Sequence, residues 1–308
     1  MSTSIPPNAR PASRSSRVGP RIIATALVAV AASHPIRAGA QQPQNPSPMV
    51  EHSRAHPRLA QQSPPGTRRT LELGTLYLPD SLKAKPRSAR PVPLLVFFHG
   101  GSWLPEVAAR SMKTAVVTIQ LGAGSGTYAA ALADPERFPA LLRQVEAAGG
   151  VRVGEITLGG WSAGCGAIRE LLQQPDVYAR VGRVLAVDGI HTSYPTGKPG
   201  PQESTLDAEP LQPWLALARD AIAKRKRLVI THSEIFPGTF ASTTETVDWL
   251  VQALGLRRRP VLAWGPMGTQ QLSEVRAGHL RIAGYAGNSA PDHVEQLHAL
   301  PALLKLLK

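Results

Sequence analysis

A serine stands between two glycines in Gly160-Trp161-Ser162-Ala163-Gly164. Upstream, Ile156-Thr157-Leu158 is apolar and β-prone; downstream, Cys165 to Gln173 is compatible with a helix. A serine hydroxyl attacks a carbonyl carbon only when it is exposed and beside a base. A sharp strand-to-helix turn lifts Ser162 above the sheet, and glycines at 160 and 164 leave room where side chains would collide. The helix N-terminus that follows favours a developing negative charge. In a chain with 27 glycines a bare G-x-S-x-G carries little weight. Its setting between a strand and a helix makes it read as a nucleophile elbow.

A second stretch agrees. Pro93 to Phe98 reads as a buried strand and runs into His99-Gly100-Gly101-Ser102-Trp103. With the elbow, this pattern resembles the α/β-hydrolase family over roughly residues 70 to 308. The resemblance implies that the His-Gly-Gly loop supplies one oxyanion N–H, at Gly101, and that Ala163, after the nucleophile, supplies the other. His99 would then fix that loop.

The resemblance also directs the search for a base and an acid. His293 follows the last strand and a polar loop, Gly287 to Asp292, where the family keeps its general base. His298 lies farther into the same helix, and His279 precedes its strand, at the wrong end of the sheet. For the acid two residues compete. Asp188 ends the strand Val184 to Val187; Glu234 follows Leu228-Val229-Ile230 by a few residues. The family more often uses the later strand, and some members use the earlier. Asp188 is favoured for its shorter reach, with Glu234 as the alternative.

His191, Trp103, Trp161, Tyr194 and Trp214 are candidates for the pocket wall, although an aromatic residue is more often core. His191 and Asp188 lack H-E-x-x-H or comparable ligand spacing, so no metal is expected. No cofactor is expected either. Gly122, Gly124 and Gly126 do not form G-x-G-x-x-G, and the stretch Leu121 to Ala129 reads as a flexible loop near the site.

These residues need a scaffold. Buried strands at 93–98, 115–119, 156–158, 184–187, 228–230 and 280–283 alternate with helical patterns. Helices are expected over Pro135 to Ala148, Pro213 to Ala223, Thr244 to Leu254 and His293 to Leu307, with a capping box at Ser242-Thr243-Thr244-Glu245. Leu71 to Leu78 reads as a half-exposed antiparallel edge strand. Together they predict an α/β fold with a mainly parallel central sheet and helices on both faces. The stretch between Asp188 and Lys224 is too short for a large cap domain, so the site should be open.

The remainder of the chain bounds the setting. Residues 1–40 carry a basic leader, an apolar run at Ile22 to Ala32 too short to span a bilayer, and Ala38-Gly39-Ala40 as a cleavage site. This predicts an exported protein, periplasmic or extracellular, with no stable span once the leader is removed. Losing Arg10, Arg14, Arg17, Arg21 and Arg37 lowers the formal net charge from +13 by five, to +8. Residues 41–69 are rich in Gln, Pro, Ser and Arg and read as a disordered linker before a catalytic domain at 70–308. The runs Lys224 to Arg227 and Arg257 to Arg259 are not interleaved with aromatics, which argues against a nucleic-acid partner. Cys165, the single cysteine, allows no intramolecular disulfide and reads as buried packing.

The expected activity is a serine hydrolase cleaving carboxylic esters, of small molecules or a polymer end, through an acyl-enzyme. Amide or peptide hydrolysis and acyl transfer are alternatives within the same chemistry. A non-catalytic binding protein on the same fold is the alternative outside it.

Overall fold

The computed structural model describes residues 55–83, 90–195 and 205–308. These belong to one compact unit, Pro43–Lys308. The leader and the first part of the linker lie outside the described residues. No described helix is long and apolar enough to cross a membrane.

Strands β1 (Gly66–Leu71), β2 (Gly74–Pro79), β3 (Val92–Phe98), β4 (Ala115–Ile119), β5 (Val153–Trp161), β6 (Val181–Val187), β7 (Arg227–His232), β8 (Arg259–Trp264), β9 (Gln270–Ala277) and β10 (Leu280–Tyr285) form one sheet. Their order is β1-β2-β4-β3-β5-β6-β7-β10-β9-β8. From β4 through β10 the neighbours in that order are parallel. Antiparallel strands flank this block, β1 and β2 on one side and β9 and β8 on the other.

Alternation within the strands builds two cores. Leu94, Val96 and Phe98 of β3 point to one face; Leu95 and Phe97 point to the other. The first face carries α2 (Ser125–Ala131), α3 (Arg137–Gly149), α4 (Cys165–Leu172), α6 (Gln212–Ile222) and α7 (Thr243–Ala253), with α5 (Pro175–Arg180) adding Val177. The second face is covered by α1 (Trp103–Met112) and by the C-terminal segment, where α8 (Ala290–His298) leads into helical turns over 300–307. Both faces of the parallel block are therefore dry, which is the condition parallel strands require. The architecture is the expected α/β fold, a mainly parallel central sheet with helices on both faces.

Three differences from the sequence reading have local causes. The expected single strand Leu71 to Leu78 is a hairpin, with β1 beginning at Gly66 inside the segment read as linker. Gly74 takes φ +104 to fold the chain back, and a Cβ there would lie 2.3 Å from the Thr118 carbonyl oxygen. The expected loop Leu121 to Ala129 contains α2: Gly122 and Gly124, at positive φ, make the turn, and the alanines after Tyr128 favour helix. Helix α2 packs on α4 at Gly166, where a Cβ would meet the Ser125 carbonyl oxygen at 2.1 Å. The β8–β9 hairpin was not expected, because β8 is exposed along most of its length and shows no buried alternation.

The capping box at Ser242 forms as expected, with Glu245 returning to the Ser242 N–H. A second one, Ser289 with Asp292, opens α8 inside what reads as a polar loop. The basic runs are engaged locally: Arg225 with Asp220, Lys226 with the Tyr178 and Val181 carbonyls, Arg258 with Asp248 and Arg259 with Glu274.

Candidate active site

Strand β5 ends at Trp161, and the chain turns at once through a 3-10 turn, Ser162–Gly164, into α4. Ser162 sits at φ +50, a left-handed conformation that costs a non-glycine residue about 1–2 kcal/mol. The turn is tight enough to require its glycines. A Cβ on Gly160 would lie 2.9 Å from the Gly164 carbonyl carbon, and one on Gly164 would lie 2.1 Å from the Phe98 carbonyl oxygen.

Parallel pairing brings Asp188 beside Ser162. Trp161 is the register partner of Val187, so the next residues, Ser162 and Asp188, emerge side by side from β5 and β6. Asp188 is also left-handed, at φ +44. Gly189 then passes so close that a Cβ would lie 2.4 Å from the Ser162 carbonyl oxygen and 2.7 Å from Cys165 Sγ. Cys165 is buried, and burial pushes its thiol well above the ordinary range, so it serves as packing.

The Asp188 carboxylate is 1% exposed and fully bonded. Oδ1 accepts from the Ser233 N–H at 2.8 Å and the Thr243 hydroxyl at 2.7 Å. Oδ2 accepts from the Ser233 hydroxyl at 2.7 Å and from His293 Nδ1 at 2.7 Å. Burial alone would raise this acid, but the donors from His293, Ser233 and Thr243 outweigh it and hold the group below the usual carboxylate range. An ionised acceptor on Nδ1 puts the neutral imidazole's proton there and leaves Nε2 as the basic nitrogen.

His293 lies in the first turn of α8, and its carbonyl accepts from Trp161 Nε1 at 3.1 Å. His293 is thus tied both to Asp188 and to Trp161. Among the described residues the Ser162 hydroxyl makes no hydrogen bond to the imidazole. Such contacts in ligand-free sites commonly close when substrate binds.

The His-Gly-Gly turn follows β3, beside the elbow. His99 at φ +68 and Gly100 at φ +95 turn it. The Gly101 carbonyl accepts from Leu104, opening α1. Ala163 is the second residue of the 3-10 turn, and N–H groups at a helix start have no intrahelical acceptor. His99 fixes the turn, as expected: its Nδ1 meets the Tyr128 hydroxyl at 2.9 Å, and that oxygen accepts from the Leu121 N–H at 3.0 Å. Burial, then the nearby His293, hold the His99 imidazole below its ordinary range and keep it neutral.

The remaining candidates separate. Trp161 stacks on His99 and packs at a tilt on His293, with ring centroids at 5.0 and 4.5 Å. Trp103 is half-buried, beside Gly101 and edge-on to His298. His191, half-buried, packs against Phe240, and burial pushes it down to about 4. Tyr194 and Trp214 are not pocket walls. Tyr194 is buried with its hydroxyl on the Glu245 carboxylate, and Trp214 lies in the core of α6. Both are large apolar bodies, and the interior claimed them. Glu234, the alternative acid, is exposed and faces a cleft of about 320 Å³ with Trp264, Asn288 and Asp292. His298 Nδ1 accepts from the Leu59 N–H, and the His279 N–H donates to Ala221 at the amino end of β10.

Ser233, Thr243 and Gly189 were not singled out from sequence. The adjacency Asp188-Gly189 was the available signal, a small residue beside a strand-end acid. For metal, His56, Asp292 and Glu295 bring ligand atoms within 4.8 Å of one another. The Arg58 guanidinium and the His56 ring both face Glu295, so contacts within the chain account for the cluster.

No protein-family model matches the chain, and no curated protein matches it in sequence. Solved structures similar to it include the poly(3-hydroxybutyrate) depolymerase LpqC from Bordetella parapertussis, 15% identical over 73% of this chain and 82% of that one, with a TM-score of 0.42. A soluble variant of the monoglyceride lipase from Saccharomyces cerevisiae is 10% identical over 82% of this chain and 98% of that one, at 0.40. A ferulic acid esterase is 12% identical over 79% and 97%, at 0.44. Likeness at this level says nothing of substrate.

Proposed function

We propose that this protein is an exported serine hydrolase that cleaves carboxylic esters through an acyl-enzyme. The observation that carries the reading is the 2.7 Å bond between His293 Nδ1 and a buried, fully bonded Asp188, formed beside the strained Ser162 turn. Ser162 Oγ attacks the ester carbonyl carbon while its proton passes to His293 Nε2. The carbonyl oxygen becomes an oxyanion between the Gly101 and Ala163 N–H groups, each worth about 3–4 kcal/mol in such sites. The tetrahedral intermediate expels the alcohol, which takes the proton from His293. Water then gives a proton to His293, attacks the acyl carbon and releases the carboxylic acid, returning Ser162 to its hydroxyl form. Asp188 stays ionised throughout and stabilises the imidazolium.

The sequence leader supports export, and the short span between Asp188 and α6 supports an open site suited to modest esters or a polymer end. The test is covalent labelling by a fluorophosphonate, with Ser162→Ala as control. Labelling of the wild type and not of the variant is expected, followed by turnover of p-nitrophenyl esters graded in acyl length. A folded wild-type protein that takes no label returns the chain to a binding role on this fold.

A further inference from the structure

Trp161 does more than precede the nucleophile. Its ring centroid lies 4.5 Å from that of His293, with the planes tilted by 31°. Its Nε1–H donates to the His293 carbonyl at 3.1 Å, so the indole is held against the histidine by a directional bond as well as by packing. It also stacks on His99, at 5.0 Å and 10°. Two imidazoles therefore pack on one indole, and only one of them changes charge in the proposed reaction.

We propose that Trp161 is a positioning residue whose ring face stabilises the imidazolium of His293 as the proton leaves Ser162. This rests on the serine-hydrolase reading of the same site. The physical cause is the negative quadrupole of the indole face, which attracts a cation within about 6 Å of the ring centroid. Neutral imidazole gains little from it, so the interaction strengthens as the proton transfers, the condition for lowering a barrier rather than merely binding. The His99 stack completes the device. Its Nδ1 engages the Tyr128 hydroxyl and its ring is buried and neutral, so no second cation competes for the indole.

The other groups facing His293 are accounted for. Asp188, from the end of β6, bonds Nδ1. His191, from the same loop, is a half-buried ring that desolvation holds down to about 4. From α8 itself, Asp292 and Glu295 are directed to His56. Trp161 is thus the aromatic face against His293, while Asp188 is the carboxylate on its Nδ1.

The test uses the full chain, with tryptophan at position 161 replaced site-specifically by its mono-, di- and tetrafluoro analogues. These keep the shape and the N–H while withdrawing electron density from the face. The acid limb of kcat/KM for p-nitrophenyl acetate is expected to move stepwise to lower pH, by about half a pH unit or more across the series. The plateau should fall several-fold. Trp161→Leu should show the same shift with a loss on the order of tenfold, and Trp161→Phe should keep most of the limb position. The midpoint of the His293 imidazole ¹⁵N resonance, which needs no turnover, should follow the same order. A limb and midpoint that stay fixed across the fluorinated series overturn the proposal and leave Trp161 as packing. Absence of fluorophosphonate labelling in the wild type overturns the hydrolase reading instead, while the ¹⁵N titration still decides whether the indole face favours the imidazolium.

Discussion

Ser233 gives both its backbone N–H and its hydroxyl to the Asp188 carboxylate, at 2.8 and 2.7 Å. It stands just past the end of β7, one residue before Glu234. The neighbouring strand thus contributes a clamp for an acid carried by β6, and the clamp pins both oxygens in the plane that His293 needs. A hydrogen bond to a charged group is worth about 1.5–3 kcal/mol. Ser233→Ala should lower kcat roughly tenfold by loosening that plane, while the N–H bond keeps the fold. Asp188→Asn should cost on the order of 10⁴ in kcat, because an amide can hold the wrong tautomer. Glu234→Gln should change turnover by less than about twofold, since it touches none of these groups. Ester kinetics on the three variants check this, and a larger loss in Glu234→Gln than in Asp188→Asn would overturn the assignment of the acid.

Gly189 is the second constraint. A methyl group there would lie 2.4 Å from the Ser162 carbonyl oxygen and 2.7 Å from its nitrogen, both backbone atoms that cannot swing aside. Gly189→Ala should destabilise the protein by about 1–3 kcal/mol, the usual cost of overpacking. It should also slow fluorophosphonate labelling by displacing the elbow. Thermal unfolding and labelling rates measured on one preparation distinguish the two effects, and a variant indistinguishable from wild type in both refutes the close approach.

The His-Gly-Gly turn depends on Tyr128. Its hydroxyl accepts from the Leu121 N–H and engages His99 Nδ1. Tyr128→Phe leaves both groups without this partner, in a place where Tyr128 itself is fully buried. Loss of about 1–3 kcal/mol of stability is expected. If the Gly101 N–H binds the oxyanion as proposed, the drop in kcat should exceed any change in KM, because His99 holds that turn. Equal changes in both constants would show that the turn binds substrate rather than the oxyanion.

What could be read from the sequence was whatever chain order and strand ends determine. Ser162, Asp188 and His293 each follow a buried strand or the loop after it, and parallel strands present those ends at one rim. What could not be read depended on packing between distant segments. Tyr194 and Trp214 look like pocket aromatics until burial is known, and Tyr194 binds Glu245, far along the chain. Ser233 and Thr243 are ordinary loop and helix-start residues until Asp188 lies between them. The β8–β9 hairpin is hidden because an exposed strand carries no apolar alternation. Leu71 to Leu78 reads as one strand because its alternation runs through a turn that only the φ of Gly74 reveals.

His232 sets a pH dependence of its own. Its Nε2 lies 2.6 Å from Arg258 Nη1, which can only donate, so Nε2 must accept. The ring proton therefore sits on Nδ1, 2.9 Å from the Thr244 hydroxyl. Burial, and then Arg258, push this histidine down to about 4, against about 6.5 for an unfolded chain. Between those values the unfolded state holds more protons than the folded one, so stability rises with pH there and is lost on acidification from about pH 6.5 towards pH 4. One such group contributes up to about 1.4 kcal/mol per pH unit within the window. Denaturant unfolding of wild type and His232→Gln at intervals from pH 7.5 to pH 4.5 should show a shallower acid loss in the variant. Parallel curves would mean that the ring titrates alike in the folded and unfolded protein, and that neither burial nor Arg258 holds it neutral.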